Sequence, residues 1–424
     1  MVYVTFVINE ELMSLYQDLI NLESENKPIK VGVIGAGQMG IGLIAQIATL
    51  KGMIVSGICN RTLSKAESAK AIYNKHTNRY HNCFITSDYK ELIHSKEVDI
   101  VVDATGNPES GANICLETLK AHKHIVLLNV EMDITVGPIL YNKFKEANLI
   151  YTGSDGDEPA AIFELYEFAR SLGLEVLVAG KGKNNKIRLE ANPDTVAEEA
   201  QRRHMTPHML ASFADGTKTM AEMTLLSNSI GFKPDIIGMH GIKGDLKQTV
   251  EQLSTKQEGG VLNNYQVVEY VDGIAPGVFV IVKGQNSYVT EELNYMMQVF
   301  TDHQILYRPF HLGSLETPLT IAKAYLKNEA SIYPLYGQVS DTVAVAKKDL
   351  EIGESLDYIG GYTFRGVITT HEEAIKNYYV PIGLCSERVT VKNPIKKGEF
   401  IKYSDLNLDT ESTIYKLRLA QDKL

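Results

Sequence analysis

Short apolar runs and helical-period stretches alternate through the first third of the chain. Val31 to Ile34 is apolar, and Ile41, Leu43, Ile44, Ile47 and Leu50 then recur at helical spacing. Met53 to Cys59, Val98 to Asp103, His124 to Leu128 and Leu149 to Thr152 are further apolar runs, each followed by polar or small residues. This alternation from Lys30 to about Thr152 predicts an α/β fold with a doubly wound parallel sheet. Beyond it the pattern mixes. Helices are expected at Ala160 to Leu172, Asp194 to Arg203 and Pro207 to Ile230, and strands at Glu175 to Ala179, Gln266 to Val271 and Val278 to Lys283. That mixture predicts an α+β substrate domain, and a helix from Pro318 to Leu326 returns the chain to the first domain. The tail repeats itself: Ala346 to Glu354 (A-K-K-D-L-E-I-G-E) recurs 45 residues later as Val391 to Glu399 (V-K-N-P-I-K-K-G-E). Two such copies predict a small β domain with pseudo-two-fold symmetry. The expected division is an arm and helix over 1–28, a nucleotide domain over 29–157, a catalytic domain over 158–330 and the β domain over 337–424.

The turn after the first strand, G-A-G-Q-M-G, places Gly35, Gly37 and Gly40 in a G-x-G-x-x-G pattern opening a helix. The first glycine permits the tight turn, the second lets backbone approach a pyrophosphate, and the third lets helix pack on strand. With Gln38 and Met39 between them, these residues predict a Rossmann-type dinucleotide site at a helix N-terminus. The turn after the second strand selects the dinucleotide. Asn60 stands where an NAD site usually carries a carboxylate, and Arg61, Thr62 and Lys65 follow. Arg61 suits a 2′-phosphate as a planar fork and Lys65 as a point charge, so NADP(H) is expected. Ala104, Thr105, Gly106, Asn129 and Glu131 lie on later sheet-edge turns beside the nicotinamide half of such a cofactor.

Composition narrows the function. A net charge of −10 over 424 residues argues against a general nucleic-acid binder. Cys59, Cys83, Cys115 and Cys385 are scattered without a C-x-x-C pair, so no disulfide framework or zinc ribbon is indicated. No apolar run approaches the roughly 20 residues of a membrane span. The N-terminus lacks a basic start and a small-residue cleavage site, and reads as an arm entering a helix at Asn9, with Glu10 and Glu11 in the first turn. The cytoplasm is the expected location.

Hydride transfer needs an oxyanion stabiliser and a proton carrier, and lysine suits both roles. Lys181 and Lys183 lie in G-K-G-K-N-N, expected as a turn after the strand ending at Ala179; a solvated basic hairpin has the same composition. Lys218 stands beside Ser212, Asp215, Thr219 and Glu222, which recur at helical spacing with Gly216 inside the same expected helix. Asp155, Asp157 and Glu158 form an acidic sheet-edge cluster suited to substrate hydroxyls or to Mg²⁺ or Mn²⁺. His240 and His311 are isolated acid/base candidates.

Two tail segments, V-A-V-A-K-K-D-L-E-I-G-E and V-K-N-P-I-K-K-G-E-F-I-K-Y-S-D-L, resemble an SAF (β-clip) domain. The whole chain resembles the homoserine-dehydrogenase-like oxidoreductases ending in an SAF domain, and within them the deoxyxylulose-phosphate-reductoisomerase-like family. G-V-I-G-A-G-Q-M-G, G-K-G-K-N-N, M-L-A-S-F-A-D-G-T-K-T-M-A-E-M and R-P-F-H-L carry that resemblance. Homoserine dehydrogenases place a lysine in A-N-K after the fifth strand, whereas this chain reads Leu128-Asn129-Val130-Glu131, which counts against ordinary homoserine oxidation. Reductoisomerases carry a D-S-E-H segment whose first and third residues bind a divalent metal; similarity to G-S-D-G-D-E-P puts Asp155 and Asp157 at that spacing. The resemblance implies a homodimer and an NADP(H)-dependent oxidoreductase of a small polar, phosphorylated carbonyl or hydroxy compound. Its leading form is a 1-deoxy-D-xylulose 5-phosphate reductoisomerase, with Lys181 or Lys183 on the phosphate or carbonyl and Lys218 as proton donor. A semialdehyde, homoserine or branched sugar-acid dehydrogenase is the enzyme alternative, and an NADP-gated binding protein without turnover is the alternative of another class.

Overall fold

The computed structural model describes residues 14–77, 82–183 and 186–424. The expected arm and helix start at Asn9 to Glu11 lie outside the described residues, as do Asn184 and Asn185. The first described helix, α1 (Leu15–Ser24), starts at Ser14, whose side chain accepts from Gln17 N.

Six parallel strands follow: β1 (Ile29–Ile34), β2 (Met53–Cys59), β3 (Phe84–Thr86), β4 (Ile100–Asp103), β5 (His124–Leu127) and β6 (Tyr151–Gly153), in the order β3-β2-β1-β4-β5-β6. β2 and β4 are buried throughout, which is why they read as unbroken apolar runs rather than alternating ones. Helices α2 (Gln38–Ile47), α3 (Leu63–His76), α4 (Tyr89–His94), α5 (Pro108–Lys120) and α6 (Val130–Glu146) connect them. The order reverses between β1 and β4, so connections leave to opposite sides there and open a crevice at the carboxyl ends of the strands.

α7 (Glu158–Ser171) leads into a mixed sheet of β7 (Glu175–Lys183), β8 (Ile242–Lys243), β9 (Val267–Asp272), β10 (Val278–Lys283) and β11 (Gln304–Arg308), ordered β11-β10-β7-β9-β8. Two expectations are corrected here. Gly180 to Lys183 is no turn, because β7 runs through Lys183 as an inner strand; Lys181 pairs with Val278 on one side and Tyr270 on the other. The helix expected over Pro207 to Ile230 is two. After α8 (Ala197–Arg202), α9 (Pro207–Ala214) ends, Gly216 takes a left-handed φ of +91°, and α10 (Thr217–Ile230) starts in a new direction. The Asp215 carboxylate holds this break by accepting from Thr217 N at 2.8 Å.

The returning segment is a short helix, Thr317–Ala322, followed by a π-helical turn, Lys323–Lys327. Its Ile321, Ala322 and Ala324 pack in one cluster with Val33, Ala36 and Ile44 of the parallel-sheet unit. The chain then forms the antiparallel pair β12 (Ser340–Ala346) and β13 (Phe364–Thr370), and the short pair β14 (Thr390–Val391) and β15 (Leu406–Asn407). A last helix, Thr413–Gln421, leaves these strands for the first unit, where Thr413 N and Ile414 N donate to Glu109 of α5 at 3.0 and 2.8 Å. Among the described residues no helix is long and apolar enough to cross a membrane, and all four cysteines are buried and unpaired.

Candidate active site

The glycine turn separates packing from binding. A Cβ on Gly35 would lie 2.5 Å from Ala104 O, and one on Gly40 would lie 2.0 Å from Gly35 O, so both glycines are required by the turn itself. A Cβ on Gly37 would meet no protein atom within 4 Å. Gly37 is also the N-cap of α2 and provides no capping side chain, so the first N–H groups of the helix face open space between exposed Gln38 and Met39. That cradle suits a diphosphate. Asn60 braces the turn, accepting from Ala36 N at 3.0 Å and donating to Thr62 O at 2.9 Å. Arg61, Thr62 and Lys65 are exposed beside it.

At the nicotinamide end, Ala104 and Gly106 flank Thr105, whose N–H and hydroxyl both donate to Asp103, at 2.9 and 2.6 Å. Asn129 is fully buried. Its amide donates to Asp103, Thr105 and Asn107 O, and its carbonyl accepts from Met132 N. The side chain assigned to a cofactor from the sequence is therefore occupied in joining the turns after β4 and β5.

A cluster of lysines and carboxylates lies where β6, β7 and α10 meet. Asp157 caps α7, Glu158 is its first residue, and the turn from β6 delivers both to the sheet edge. The Lys181 ammonium sits between Glu158, at 2.6 Å, and Glu222 of α10. Carboxylate oxygens of Asp157, Glu158 and Glu222 lie within 4.8 Å of one another. His311 places Nε2 3.4 Å from Glu158, and its Nδ1 donates to Gly156 O at 3.0 Å. Lys218 approaches Glu131 at 3.8 Å, tying α10 to the turn after β5. Lys183 donates to Phe213 O at 2.9 Å.

These lysines differ in kind. Burial opposes charge on Lys181, but Glu158 and Glu222 outweigh it and hold the ammonium well above the ordinary lysine range. Lys218 behaves alike, with Glu131 and Asp157 overcoming its burial. Lys183 makes no ion pair among the described residues; burial and then the Lys181 charge outweigh the more distant Glu222, Asp215 and Glu158 and lower its pKa to about 8. Among the acids, burial and the Glu158 charge push Glu222 up to about 8. Glu158 is held below the carboxylate range, because Lys181 and His311 outweigh its burial. The site thus has two fixed ammonium charges and one amine able to exchange a proton near neutrality.

Asp155 does not join this group. Its carboxylate accepts from Thr320 at 3.1 Å, Lys323 at 3.0 Å and Ser331 at 2.8 Å, fastening the returning segment to the end of β6. The Asp155 and Asp157 pairing read from metal-ligand spacing is replaced by Asp157, Glu158 and Glu222. Glu222, read from the sequence only as one of the residues recurring at helical spacing beside Lys218, faces inward on a helix buried at nearly every position.

Residues 156–317 match the family described as Oxidoreductase DRL, catalytic domain, and residues 29–127 match Oxidoreductase family, NAD-binding Rossmann fold. Strands β1 to β5 of the parallel sheet fall within the second match and the lysine and carboxylate cluster lies largely within the first; neither match spans half of the chain. A stretch of 121 residues is 25% identical to homoserine dehydrogenase of Bacillus subtilis (strain 168), covering 28% of each chain. Another of 82 residues is 34% identical to Glycosyl hydrolase family 109 protein 2 of Shewanella sp. (strain ANA-3), covering 18% of this chain and 17% of that protein. The matched stretches span less than a third of these curated relatives. A probable dehydrogenase from Thermotoga maritima aligns over 71% of this chain and 90% of its own, at 14% identity and a TM-score of 0.43.

Proposed function

We propose that the protein is an NADP(H)-dependent oxidoreductase of a small, polar, phosphorylated hydroxy or carbonyl compound, with 1-deoxy-D-xylulose 5-phosphate reductoisomerase chemistry as its leading form. The observation that carries this reading is the lysine and carboxylate cluster at the carboxyl edge of the parallel sheet, where Lys181 lies between Glu158 and Glu222 with Lys183 and Lys218 nearby. NADPH, when bound, supplies the hydride. Lys181 stabilises the oxyanion that develops at the reacting carbon. Lys183, the amine poised to titrate, delivers the proton; this moves the donor role away from Lys218, whose charge is locked by Glu131 and Asp157. Asp157, Glu158 and Glu222 are a hard oxygen set that fits Mg²⁺ or Mn²⁺, and they are the residues that would hold such an ion as a Lewis acid on the carbonyl.

One observation favours a metal-free dehydrogenase of a semialdehyde or sugar acid as the second reading: Lys181 already neutralises two of the three carboxylates. The deciding experiment follows NADPH consumption with deoxyxylulose phosphate and Mg²⁺ or Mn²⁺, repeated with chelator and with NADH. Metal-dependent turnover with NADPH supports the reductoisomerase. Turnover of semialdehydes or sugar acids untouched by chelator, with deoxyxylulose phosphate inert, replaces it with the dehydrogenase.

A further inference from the structure

β13 presents a cation without an anion. Arg365 is half-buried, and its guanidinium makes no hydrogen bond or ion pair among the described residues. Burial disfavours its charge, and the carboxylate whose charge reaches it is Asp215. Asp215 is already engaged. One oxygen accepts from Thr217 N at 2.8 Å and the other pairs with Lys347 at 2.7 Å. Lys347 is itself saturated by Ala191 O and Gly361 O, at 2.7 and 2.8 Å. Two cations thus share one carboxylate, and Arg365 is the one left over. With no partner among the described residues, the guanidinium donors of Arg365 are left to solvent or to an incoming anion.

Its place relates it to the active site. Lys347 N donates to Thr363 O at 2.9 Å, and Gly366 N donates to Thr217 Oγ1 at 2.8 Å, so β13 is tied to the first turn of α10, next to Lys218. Lys183 Nζ donates to Phe213 O, two residues before Asp215, and Lys347, which pairs with Asp215, stands two residues beyond Val345, the partner of Arg365 across the β12–β13 pair.

We propose that Arg365 anchors an oxyanion of the substrate, a phosphate or a carboxylate, through its guanidinium fork, so that the C-terminal strands form part of the active site. The inference deepens the reading above and rests on its assignment of a small anionic substrate. The planar fork of Arg365 fixes the orientation of such a group in a way a point charge does not.

The test is calorimetric binding of inorganic phosphate, and separately of acetate, to the full chain, comparing wild type with Arg365→Gln, Arg365→Lys and Arg61→Gln. Wild type is expected to bind, Arg365→Gln to weaken binding about tenfold or more, and Arg365→Lys to fall between them. Preference for phosphate identifies a phosphorylated substrate, and preference for acetate a carboxylate. Equal binding by wild type and both Arg365 variants overturns the proposal, as does a loss confined to Arg61→Gln. Arg365→Lys keeps the charge and serves if the Gln variant misfolds. The readout is independent of turnover. Arg365-dependent phosphate binding with inert deoxyxylulose phosphate removes that substrate and keeps the anchor, whereas the reverse pattern removes the anchor alone.

Discussion

Leu350 and Ile395 occupy equivalent positions in the two copies of the tail repeat, and they pair with each other. Leu350 N donates to Ile395 O at 2.9 Å, and Ile395 N donates back to Leu350 O at 3.1 Å. The mates follow: Ala346 N bonds Glu399 O, and Val391 N bonds Glu354 O. Each copy closes on the same turn, with Glu351 N donating to Glu354 and Lys396 N to Glu399, at 3.1 and 2.9 Å. A repeat 45 residues apart in sequence is therefore a local dyad in space, with Leu350 and Ile395 beside its axis.

Both side chains are almost fully buried, at 1% and 2% exposure. Leu350→Ala and Ile395→Ala are each expected to cost about 2–4 kcal/mol, through lost burial and the cavity left behind. The double variant should lose less than the sum, because the two deletions share one cavity. Urea denaturation of the four proteins measures this; strict additivity would mean that the side chains do not share a packing site.

Asp133 predicts a pH effect on stability rather than on rate. It is buried in α6, accepts from Tyr151 Oη at 2.7 Å, and its second oxygen has no partner. Burial, only partly opposed by that bond, raises its pKa to about 7. Unfolded, the group titrates near ~3.9, so between these values the native state binds the extra proton. Stability is accordingly greatest at the acid end of that window, declines as pH rises through about 7, and is flat above it. Asp133→Asn keeps the acceptor for Tyr151 and removes the titration. Its thermal midpoint should gain on wild type as pH is raised from 5 to 8. A constant difference across that range would show that Asp133 does not titrate there.

The inner strands of both sheets were legible because buried strands leave unbroken apolar runs; Met53 to Cys59 of the parallel sheet and Val278 to Lys283 of the mixed sheet were read with their observed limits. Local pattern misled where tertiary contacts decide. Gly180 and Gly182 suggested a turn, yet they lie in β7 because the Glu269 carbonyl and the Ala275 backbone press against them, leaving no room for a side chain. Gly216 suggested a costly residue inside a helix, and it is the left-handed joint between two. The candidate site was half legible. Lys181, Lys183, Lys218, Asp157 and Glu158 converge, but Asp155 turns away to Lys323, and no spacing rule joins Asp215 to Lys347 across more than a hundred residues.

The proposed preference for NADP(H) rests on Arg61. The side chain of Asn60 is committed to Ala36 and Thr62, so it is not free to read a ribose, while Arg61 is exposed and makes no ion pair among the described residues. Charge-assisted bonds to a 2′-phosphate are worth about 1.5–3 kcal/mol. Arg61→Ala should therefore weaken NADPH binding by roughly 10- to 100-fold and leave NADH nearly unchanged, as measured by fluorescence titration of both. Equal losses for the two dinucleotides would assign Arg61 to the shared part of the cofactor.

Lys183 sets the expected pH dependence of turnover. With burial and the Lys181 charge lowering its pKa to about 8, it is an acid below that pH and a base above it. In carbonyl reduction the ammonium must supply the proton, so kcat falls as pH rises through about 8; in alcohol oxidation the neutral amine accepts it, so kcat rises through the same pH. Lys183→Met should remove the limb in both directions and lower kcat by about 10²- to 10⁴-fold. Lys183→Arg preserves the charge but cannot release a proton, and should be as slow. If the limb persists in Lys183→Met and disappears in Lys218→Met, the proton passes through Lys218, and its pairing with Glu131 and Asp157 must loosen when substrate binds.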